Sequence, residues 1–286
     1  MYVIKVDKDA PLLEFLFEKL KGQSRTSVKS LLQHRQLMLN GQTLITKFDY
    51  PLKKGDAIHV LSVQKAGTKG VFEHPKLTIL YEDDDIIVVD KKEGLLSVKT
   101  PNTAEESATH LLNQYLRPLG RDHYVYAVHR LDRETSGVMM FAKKKEVQKK
   151  LRDDWRNYVI ERTYIAIAEG IIEPAEGKIE SYLKEDIKKV MHSSPTDNGG
   201  QFAVTNYKVL QTDKRNSLVK LNLETGRKNQ IRVHLQSIGH SVVGDVKYGG
   251  KSSRYGRLCL HAETLRFKHP VTDKLMAFSV PVPFKL

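Results

Sequence analysis

One short segment of the chain contains the residue types that nucleophilic chemistry needs. Residues 129–137 read His-Arg-Leu-Asp-Arg-Glu-Thr-Ser-Gly, which places Asp132 between Arg130 and Arg133. Neighbouring cations favour the ionised form of a carboxyl group, and a nucleophile or general base must be ionised at neutral pH. The same residue types also form ordinary surface salt bridges, so the segment by itself indicates a candidate without deciding its function.

A protein-kinase catalytic loop is another pattern that this segment approaches. Kinases have His, Arg and Asp in direct succession, with an Asn a few residues later. Here Leu131 separates Arg130 from Asp132, no such Asn follows, and no glycine-rich phosphate loop precedes the segment. The sequence therefore argues against a kinase.

The segment resembles the signature of RNA pseudouridine synthases of the RluA/RluD type, in which His-Arg-Leu-Asp is followed by two residues and then Thr-Ser-Gly. Residues 80–94 are similar to the first motif of that family, and residues 225–235 are similar to its third. Residues 260–262 and 269–270 match its closing segment. Four motifs in the expected order identify the chain as a member of the family.

The chain departs from the family pattern at three positions. Lys92 and Ser241 stand where the family normally has Pro, and Asn229 replaces the usual His. These departures keep open a second hypothesis, a catalytically silent RNA-binding paralogue. A third hypothesis is a glycosidase, which needs two carboxyl groups facing the bond; Glu134 is the near candidate for the second.

The resemblance implies a defined reaction. Enzymes of this family isomerise uridine within RNA to pseudouridine without net redox or hydrolysis, so the resemblance implies no cofactor. Asp132 falls on the catalytic aspartate of the family. It is expected to act as a nucleophile or to promote deprotonation of the sugar, and the sequence leaves both routes open.

The resemblance also indicates a cationic partner for the carboxylate. Arg232 lies in the third motif and is expected to pair with Asp132. The spacing around it predicts a helix whose buried stripe consists of Ile231, Leu235 and Ile238.

Four further residues are expected to act on the RNA. Tyr164 matches the active-site tyrosine, whose ring can stack on uracil and whose hydroxyl could relay a proton at C5. Arg130 would enter the space that a flipped uridine leaves behind. Leu260 would pack beside the uracil, and Arg227 would contact phosphate or serve as the alternative partner of the carboxylate.

Residues 1–62 read as a separate small domain. Apolar spacing predicts a helix from Leu12 to Leu20 and a second helix after Ser24, and Asn40-Gly41 predicts a hairpin turn. The segment resembles the small RNA-binding domain first seen in the fourth protein of the small ribosomal subunit. Eleven Lys and Arg against six Asp and Glu give residues 1–65 a charge of +5. Phosphate contacts are expected from three of these cations, with a solvated basic face as the alternative: Arg25, Lys29 and Arg35.

The rest of the chain reads as a linker, residues 63–74, and one catalytic domain, residues 75–286. Hairpins mixed with isolated helices favour an α+β fold with a largely antiparallel sheet over a doubly wound fold. Strands are predicted at 86–89, 138–142, 163–168, 201–210 and 217–223, and helices at 145–159 and 229–238.

The composition of the 286-residue chain favours a nucleic-acid partner. Lys and Arg outnumber Asp and Glu by 47 to 34, and the resulting charge of +13 suits the neutralisation of phosphates. The single cysteine, Cys259, rules out an internal disulfide and a cysteine-rich zinc cluster. The histidines fit no usual zinc spacing, and no signal peptide or membrane-spanning run is recognisable, so we expect a cytoplasmic protein.

The sequence predicts the RNA target less sharply. Large-subunit ribosomal RNA is the commonest substrate of the family, but transfer RNA is modified by relatives with the same motifs. The N-terminal domain favours ribosomal RNA. Neither a membrane nor an obligate protein partner is indicated, and we expect a monomer.

Overall fold

The computed structural model describes most of the chain. The described residues are 2–22, 24–33, 37–40, 43–45, 49–60, 72, 74–99, 105–117, 123–250 and 254–286. Most of the predicted linker at 63–74 lies outside these ranges.

The N-terminal part forms a small sheet with two helices packed on it. Its elements are β1 (Tyr2–Lys5), β2 (Ala10–Pro11), α1 (Leu12–Lys19), α2 (Arg25–Gln33), β3 (Leu37–Leu39), β4 (Thr43–Leu44), β5 (Pro51–Leu52) and β6 (Ala57–Val60). Strands pair antiparallel in the order β1-β6-β3-β4. Phe15 of α1 and Val28 of α2 are buried in one core with Ile58 of β6. Both helices and the β3–β4 pair lie where the sequence predicts them, although Gly41 of the predicted turn lies outside the described residues.

A much larger sheet follows. Its elements and the helices beside it are β7 (Leu77–Glu82), β8 (Ile86–Lys91), α3 (Ala108–Leu116), β9 (Tyr126–Ala127), β10 (Ser136–Ala142), α4 (Lys145–Asp153), α5 (Trp155–Tyr158), β11 (Val159–Glu169), β12 (Glu176–Glu185), β13 (Met191–Ser194), β14 (Gln201–Thr212), β15 (Asn216–Leu223), α6 (Gln230–Ser237), β16 (Leu260–Lys268) and β17 (Leu275–Ser279). A short 3-10 helix spans Val246–Tyr248.

The strands of this second part join one mixed sheet. The order is β13-β12-β14-β15-β11-β16-β10-β8-β7, with β17 added to β16 and β9 to β10. Neighbours run antiparallel, while β10 and β16 run parallel at Ser136↔His261. The α+β class with a largely antiparallel sheet is therefore confirmed.

Strand β11, at the centre of the sheet, has an apolar core on each of its two faces. Because side chains alternate along a strand, Tyr164 and Ala166 enter one apolar core while Ile165 enters another. Helix α6 covers the first of these faces, and its Ile231 and Leu235 are buried in the same core as Tyr164. The tyrosine and the helix are thereby brought to the same side of the sheet.

The helices are short, and two differ from their predictions. The predicted helix at 145–159 breaks at Asp154, whose ψ of 36° is not helical, and from Val159 the chain continues as β11. Ile238 does not belong to the buried stripe, because α6 ends at Ser237 and the Ile238 side chain is 37% exposed. Over the described residues, no helix has the length and apolar character needed to cross a bilayer.

Candidate active site

Asp132 lies in the loop between β9 and β10, and hydrogen bonds fix this loop on both sides of the carboxylate. Ser97 Oγ donates to the Leu131 carbonyl at 2.7 Å and accepts from the Leu131 N–H at 3.1 Å. The Arg133 carbonyl accepts from the Gly94 N–H at 2.9 Å. The residues before and after Asp132 are therefore tied to the segment that follows β8.

Lys91, the last residue of β8, supports the same loop from the protein interior. Its side chain is fully buried, and its Nζ donates to the carbonyl oxygens of Lys92, Leu95 and Arg133 at 3.1, 2.9 and 3.2 Å. Burial lowers the pKa of Lys91 to about 8, although the charge of Asp132 opposes the shift. The three carbonyl acceptors compensate the buried ammonium, which connects the strand end to the Asp132 loop.

Two donors reach the same oxygen of the Asp132 carboxylate. Asn229 Nδ2 donates to Oδ2 at 2.5 Å, and Arg232 Nη1 donates to it at 3.1 Å. No hydrogen bond from the described part of the chain reaches Oδ1. The Asp132 side chain is 22% exposed and lines a cavity, so one carboxylate oxygen is anchored and the other is available.

Arg232 is fixed between two carboxylates. Its Nε and Nη2 donate to the two oxygens of Asp245 at 2.6 and 2.7 Å, which leaves Nη1 for Asp132. The guanidinium lies 5.0 Å from the centre of the Tyr248 ring, within the range of a cation–π contact. Burial opposes its charge, but the hydrogen bonds and charges of both carboxylates raise the pKa of Arg232 above its ordinary value. Arg232 is therefore a permanently charged and rigidly oriented partner.

The carboxylate opens onto a cavity of about 530 Å³. Tyr164 and Leu260, both buried, form part of its apolar wall. Burial raises the pKa of Tyr164, partly offset by Arg162, so its hydroxyl stays protonated at neutral pH. The volume lies within the range of small-ligand pockets and has room for one nucleotide.

Five exposed cations line the mouth of this cavity: Arg130, Arg152, Arg156, Arg227 and Lys228. Arg227 Nε donates to the Phe202 carbonyl at 3.1 Å, and Lys228 pairs with Glu185. Arg227 therefore does not replace Arg232 as the partner of the carboxylate. Arg130 is exposed at the mouth, and the nearby Glu134 contacts Arg133 at 3.4 Å.

Arg162 forms a part of the cavity wall that the sequence does not reveal. Its Nη2 donates to the Thr225 carbonyl at 3.1 Å, and its guanidinium lies 5.6 Å from the Trp155 ring. A Cβ on Gly226 would lie 2.7 Å from Arg162 Nη1, so the glycine of the third motif leaves room for the guanidinium. Trp155 in turn contacts His129, with ring centres 5.2 Å apart. Beyond the presence of a single Trp, the sequence gives no signal for this contact.

The three departures from the family pattern each make a contact of their own. Asn229 binds the carboxylate, and Ser241 Oγ donates to the Tyr248 carbonyl at 2.7 Å. The Lys92 N–H donates to the Lys76 carbonyl at 2.9 Å, a bond that proline could not make. None of these substitutions removes Asp132 or Arg232 from the cavity.

The predicted RNA contacts of the N-terminal part are only partly described. Arg25 and Lys29 lie one turn apart on α2 and are both exposed. The Arg25 guanidinium lies 5.4 Å from the centre of the Phe17 ring. Arg35 lies outside the described residues.

Within the described residues, one group of three side chains has donor atoms close enough for a metal ion: Asp83, Asp85 and His269. It does not line the Asp132 cavity. His269 Nε2 lies 2.9 Å from Asp83 Oδ2, and Asp85 pairs with Lys144 at 2.7 Å. Asp83 Oδ1 also accepts from the N–H groups of Asp85 and Ile86 at 2.8 Å each. These contacts stabilise the turn that precedes β8.

Comparisons with known proteins converge on one family. The family described as RNA pseudouridylate synthase matches residues 85–237, which include Asp132, Tyr164 and Arg232. The uncharacterised RNA pseudouridine synthase YhcT of Bacillus subtilis is 34% identical over 94% of this chain and 90% of its own length. Ribosomal large subunit pseudouridine synthase D of Vibrio cholerae is 32% identical over 91% of this chain and 84% of its own length.

The solved structures agree with these sequence relatives. The structure of human RNA pseudouridylate synthase domain containing 1 is 26% identical with a TM-score of 0.59, covering 77% of this chain and 88% of its own. That of human RNA pseudouridylate synthase domain containing 4 is 26% identical with a TM-score of 0.58, covering 72% and 88%.

Proposed function

Because this chain belongs to the RNA pseudouridylate synthase family and is an isomerase of RNA uridine, we propose that its substrate is large-subunit ribosomal RNA and that Asp132 performs the reaction. One observation carries the assignment of Asp132. A carboxylate with one anchored and one available oxygen stands at the floor of a nucleotide-sized cavity, beside a buried arginine.

The proposed reaction begins when Oδ1 of Asp132 attacks the anomeric carbon of the uridine ribose. The bond from this carbon to the uracil nitrogen breaks, and its electron pair leaves with the base. The detached uracil turns until its C5 faces the sugar. A carbon–carbon bond then forms while the bond to Asp132 breaks. A proton leaves C5 and a proton is taken up on the former glycosidic nitrogen, so the reaction gains and loses no atoms.

The neighbouring residues would support this sequence in different ways. Arg232 holds Oδ2 and places a fixed positive charge beside the carboxylate, because it is charged at all relevant pH values. The protonated Tyr164 would stack on the base and relay the proton at C5, while Leu260 would pack against the uracil. Arg130, exposed at the mouth, would occupy the gap that the extracted uridine leaves in the RNA.

A route through sugar deprotonation by Asp132 makes a different prediction. Nucleophilic attack requires a transient ester between Asp132 and the RNA, whereas deprotonation does not. Acid quenching of a single turnover, followed by mass spectrometry of the peptide that contains Asp132, separates the two routes. An attached nucleotide supports the nucleophile, and its absence at times when substrate is half converted supports deprotonation.

Two observations favour ribosomal RNA as the substrate. Relatives from Vibrio cholerae and Haemophilus influenzae, 32% and 31% identical, are named ribosomal large subunit pseudouridine synthase D. The N-terminal part has a basic sequence that resembles the small RNA-binding domain first seen in a protein of the small ribosomal subunit, and Arg25 and Lys29 are exposed on it. We propose that this part docks on the ribosomal RNA while the cavity takes the uridine.

The test is release of tritium from RNA labelled at C5 of uridine, with large-subunit ribosomal RNA and transfer RNA as separate substrates. Release from ribosomal RNA, lost in Asp132→Asn and retained in Glu134→Gln, is the expected result. Glu134 is a matched control because it is an exposed carboxylate in the same loop. Release from transfer RNA alone would overturn the substrate assignment. Full release by Asp132→Asn would overturn the role of Asp132, and binding of both RNAs without any release would favour a silent RNA-binding protein.

A further inference from the structure

A chain of hydrogen bonds runs from the protein interior to the Asp132 carboxylate. The Met191 N–H donates to the Tyr248 hydroxyl oxygen at 3.1 Å. The Tyr248 O–H donates to Asn229 Oδ1 at 3.0 Å, and Asn229 Nδ2 donates to Asp132 Oδ2 at 2.5 Å. Each donor points toward the carboxylate, so each bond polarises the next in the same direction.

The polarity of this chain fixes the orientation of the Asn229 amide. The Met191 N–H already uses the Tyr248 oxygen as an acceptor, which leaves the Tyr248 proton for Asn229. Asn229 Oδ1 is therefore the acceptor and Nδ2 must face Asp132. With the amide reversed, two oxygen acceptors would face each other at Asp132 and a donor would face the Tyr248 proton.

The backbone of Asn229 is also suited to this position. Its φ of 51° lies in the left-handed region, which Asn tolerates better than most residues, and it forms the N-terminal cap of α6. Tyr248 is fully buried and its ring lies beneath the Arg232 guanidinium. Both ends of the amide are thus supported by residues that have little freedom to move.

We infer that Asn229, oriented by the Tyr248 hydroxyl, is a positioning residue that fixes Asp132 with Oδ2 anchored and Oδ1 turned toward the ribose. This inference rests on the proposed role of Asp132 in catalysis. Arg232 supplies a charged donor to Oδ2, and Asn229 supplies a second donor from another side. Two donors at one oxygen fix the rotation of the carboxylate about its bond to Cβ. Without the amide, the carboxylate rotates and either oxygen can meet the arginine.

The test measures kcat and KM for uridine conversion in Asn229→Gly and Tyr248→Phe, with Asp132→Asn assayed alongside. Glycine accepts the left-handed backbone of residue 229 and removes the whole side chain, including the amide. Phenylalanine keeps the Tyr248 ring and removes only the hydroxyl. Ser241→Ala is the matched control, since it removes a hydrogen bond to the Tyr248 carbonyl and leaves the hydroxyl in place.

We expect kcat to fall about 10- to 100-fold in Asn229→Gly, as for the loss of a hydrogen bond to a charged group, and about 3- to 10-fold in Tyr248→Phe. KM of Tyr248→Phe should stay near that of the parent, although its melting temperature should fall because the buried Met191 N–H loses its acceptor. Ser241→Ala should retain the parent kcat. The double variant should lose no more than Asn229→Gly, because the hydroxyl acts through the amide. A role confined to stability would change the melting temperature without a selective loss of kcat.

A parent kcat in Tyr248→Phe, or losses that multiply in the double variant, would overturn the inference. Should Asn229→Gly fail to fold, the kcat of Tyr248→Phe compared with that of Ser241→Ala is sufficient to test the inference. Failure of the proposed function looks different: Asp132→Asn would then remain active, whatever the Asn229 variants do.

Discussion

A β-carbon on Gly137 would lie 2.1 Å from the carbonyl oxygen of Ala262. Gly137 is the second residue of β10, directly after the turn that ends the Asp132 loop, and Ala262 lies opposite it on the parallel strand β16. Its φ of 121° is also a conformation that other residues rarely adopt. The glycine lets the two strands approach at the point where β16 carries Leu260 into the cavity.

Gly137→Ala should therefore destabilise the protein by about 3 kcal/mol, since an overpacked contact adds to a strained backbone. The measurement is the free energy of unfolding in urea. Gly239→Ala is the matched control, because Gly239 has a φ of 85° but a β-carbon there would meet no atom within 4 Å. That control should lose about 1 kcal/mol. Equal losses in the two variants would show that the contact with Ala262 is relaxed at little cost.

Lys91→Met should lower both the stability and kcat. The substitution keeps a long unbranched side chain but removes the ammonium donor from three carbonyl oxygens, of which that of Arg133 keeps the Gly94 N–H, at a cost of about 2 kcal/mol. One of those carbonyls belongs to Arg133, so the Asp132 loop should loosen as well. Unfolding in urea and steady-state kinetics measure the two effects, with Lys99→Met as the exposed control. A parent kcat would contradict the support of the loop by Lys91.

Acid should destabilise the folded chain through buried histidines. Burial lowers the pKa of His234 and of His261 to about 4, against an ordinary value of 6.5. The unfolded chain therefore takes up these protons first, and stability present above pH 6.5 is lost as the pH falls toward 4. Each histidine should account for about 3 kcal/mol over that range.

His234→Gln tests this directly, because the amide retains a donor and an acceptor but does not titrate. The slope of unfolding free energy against pH between 4 and 6.5 should fall by about 1.4 kcal/mol per pH unit. His192→Gln, at an exposed position, controls for the substitution itself. An unchanged slope in His234→Gln would mean that His234 already accepts its proton in the folded state.

The cations at the cavity mouth should govern RNA affinity and its dependence on salt. Replacing Arg152 and Arg156 by Ala should weaken RNA binding about tenfold and reduce the slope of log affinity against log salt by about 1.4. The parent kcat should persist at saturating RNA. Lys145 and Lys149, exposed on α4 but away from the cavity, give a control with the same loss of charge. Equal weakening by both pairs would point to total charge alone.

Exposed cations on α2 should act on binding without affecting chemistry. Arg25→Ala combined with Lys29→Ala should weaken binding of large-subunit ribosomal RNA about tenfold and leave kcat unchanged at saturation. Lys5 and Lys21, exposed elsewhere on the N-terminal part, provide the matched pair. Filter binding at two salt concentrations is sufficient. Parent affinity in the Arg25 and Lys29 variant would remove the N-terminal part from RNA docking.

The sequence predicts those features that depend on local patterns. The β-branched run at 86–89 and the pairing of β3 with β4 are both found, since each is specified by a few adjacent residues. Strand β12 escapes prediction because it lies near the edge of the sheet and carries many exposed residues. The helix at 145–159 is overextended because its apolar spacing continues past Asp154 into the start of β11.

In the site, too, residues within local motifs could be predicted, whereas contacts between residues far apart in the chain could not. Motif positions indicate Asp132 and Arg232, but their separation by a hundred residues hides the geometry of the contact. The contribution of Asn229 is hidden for a further reason, since it depends on the distant Tyr248 hydroxyl as well as on its own type. Arg152 and Arg156 belong to helices that carry no motif, and only the fold places them at the cavity.

The charges at the floor of the cavity differ from those at its mouth. At the floor, Asp132 and Asp245 share Arg232, and the partly buried Arg162 lies in the wall, so the carboxylates are balanced by cations of the protein. At the mouth, exposed arginines and a lysine face the solvent. The cations at the mouth attract the phosphates of an entering nucleotide, while its uncharged base and sugar can pass inward. We therefore expect electrostatics to orient a uridine before any specific contact to its base is made.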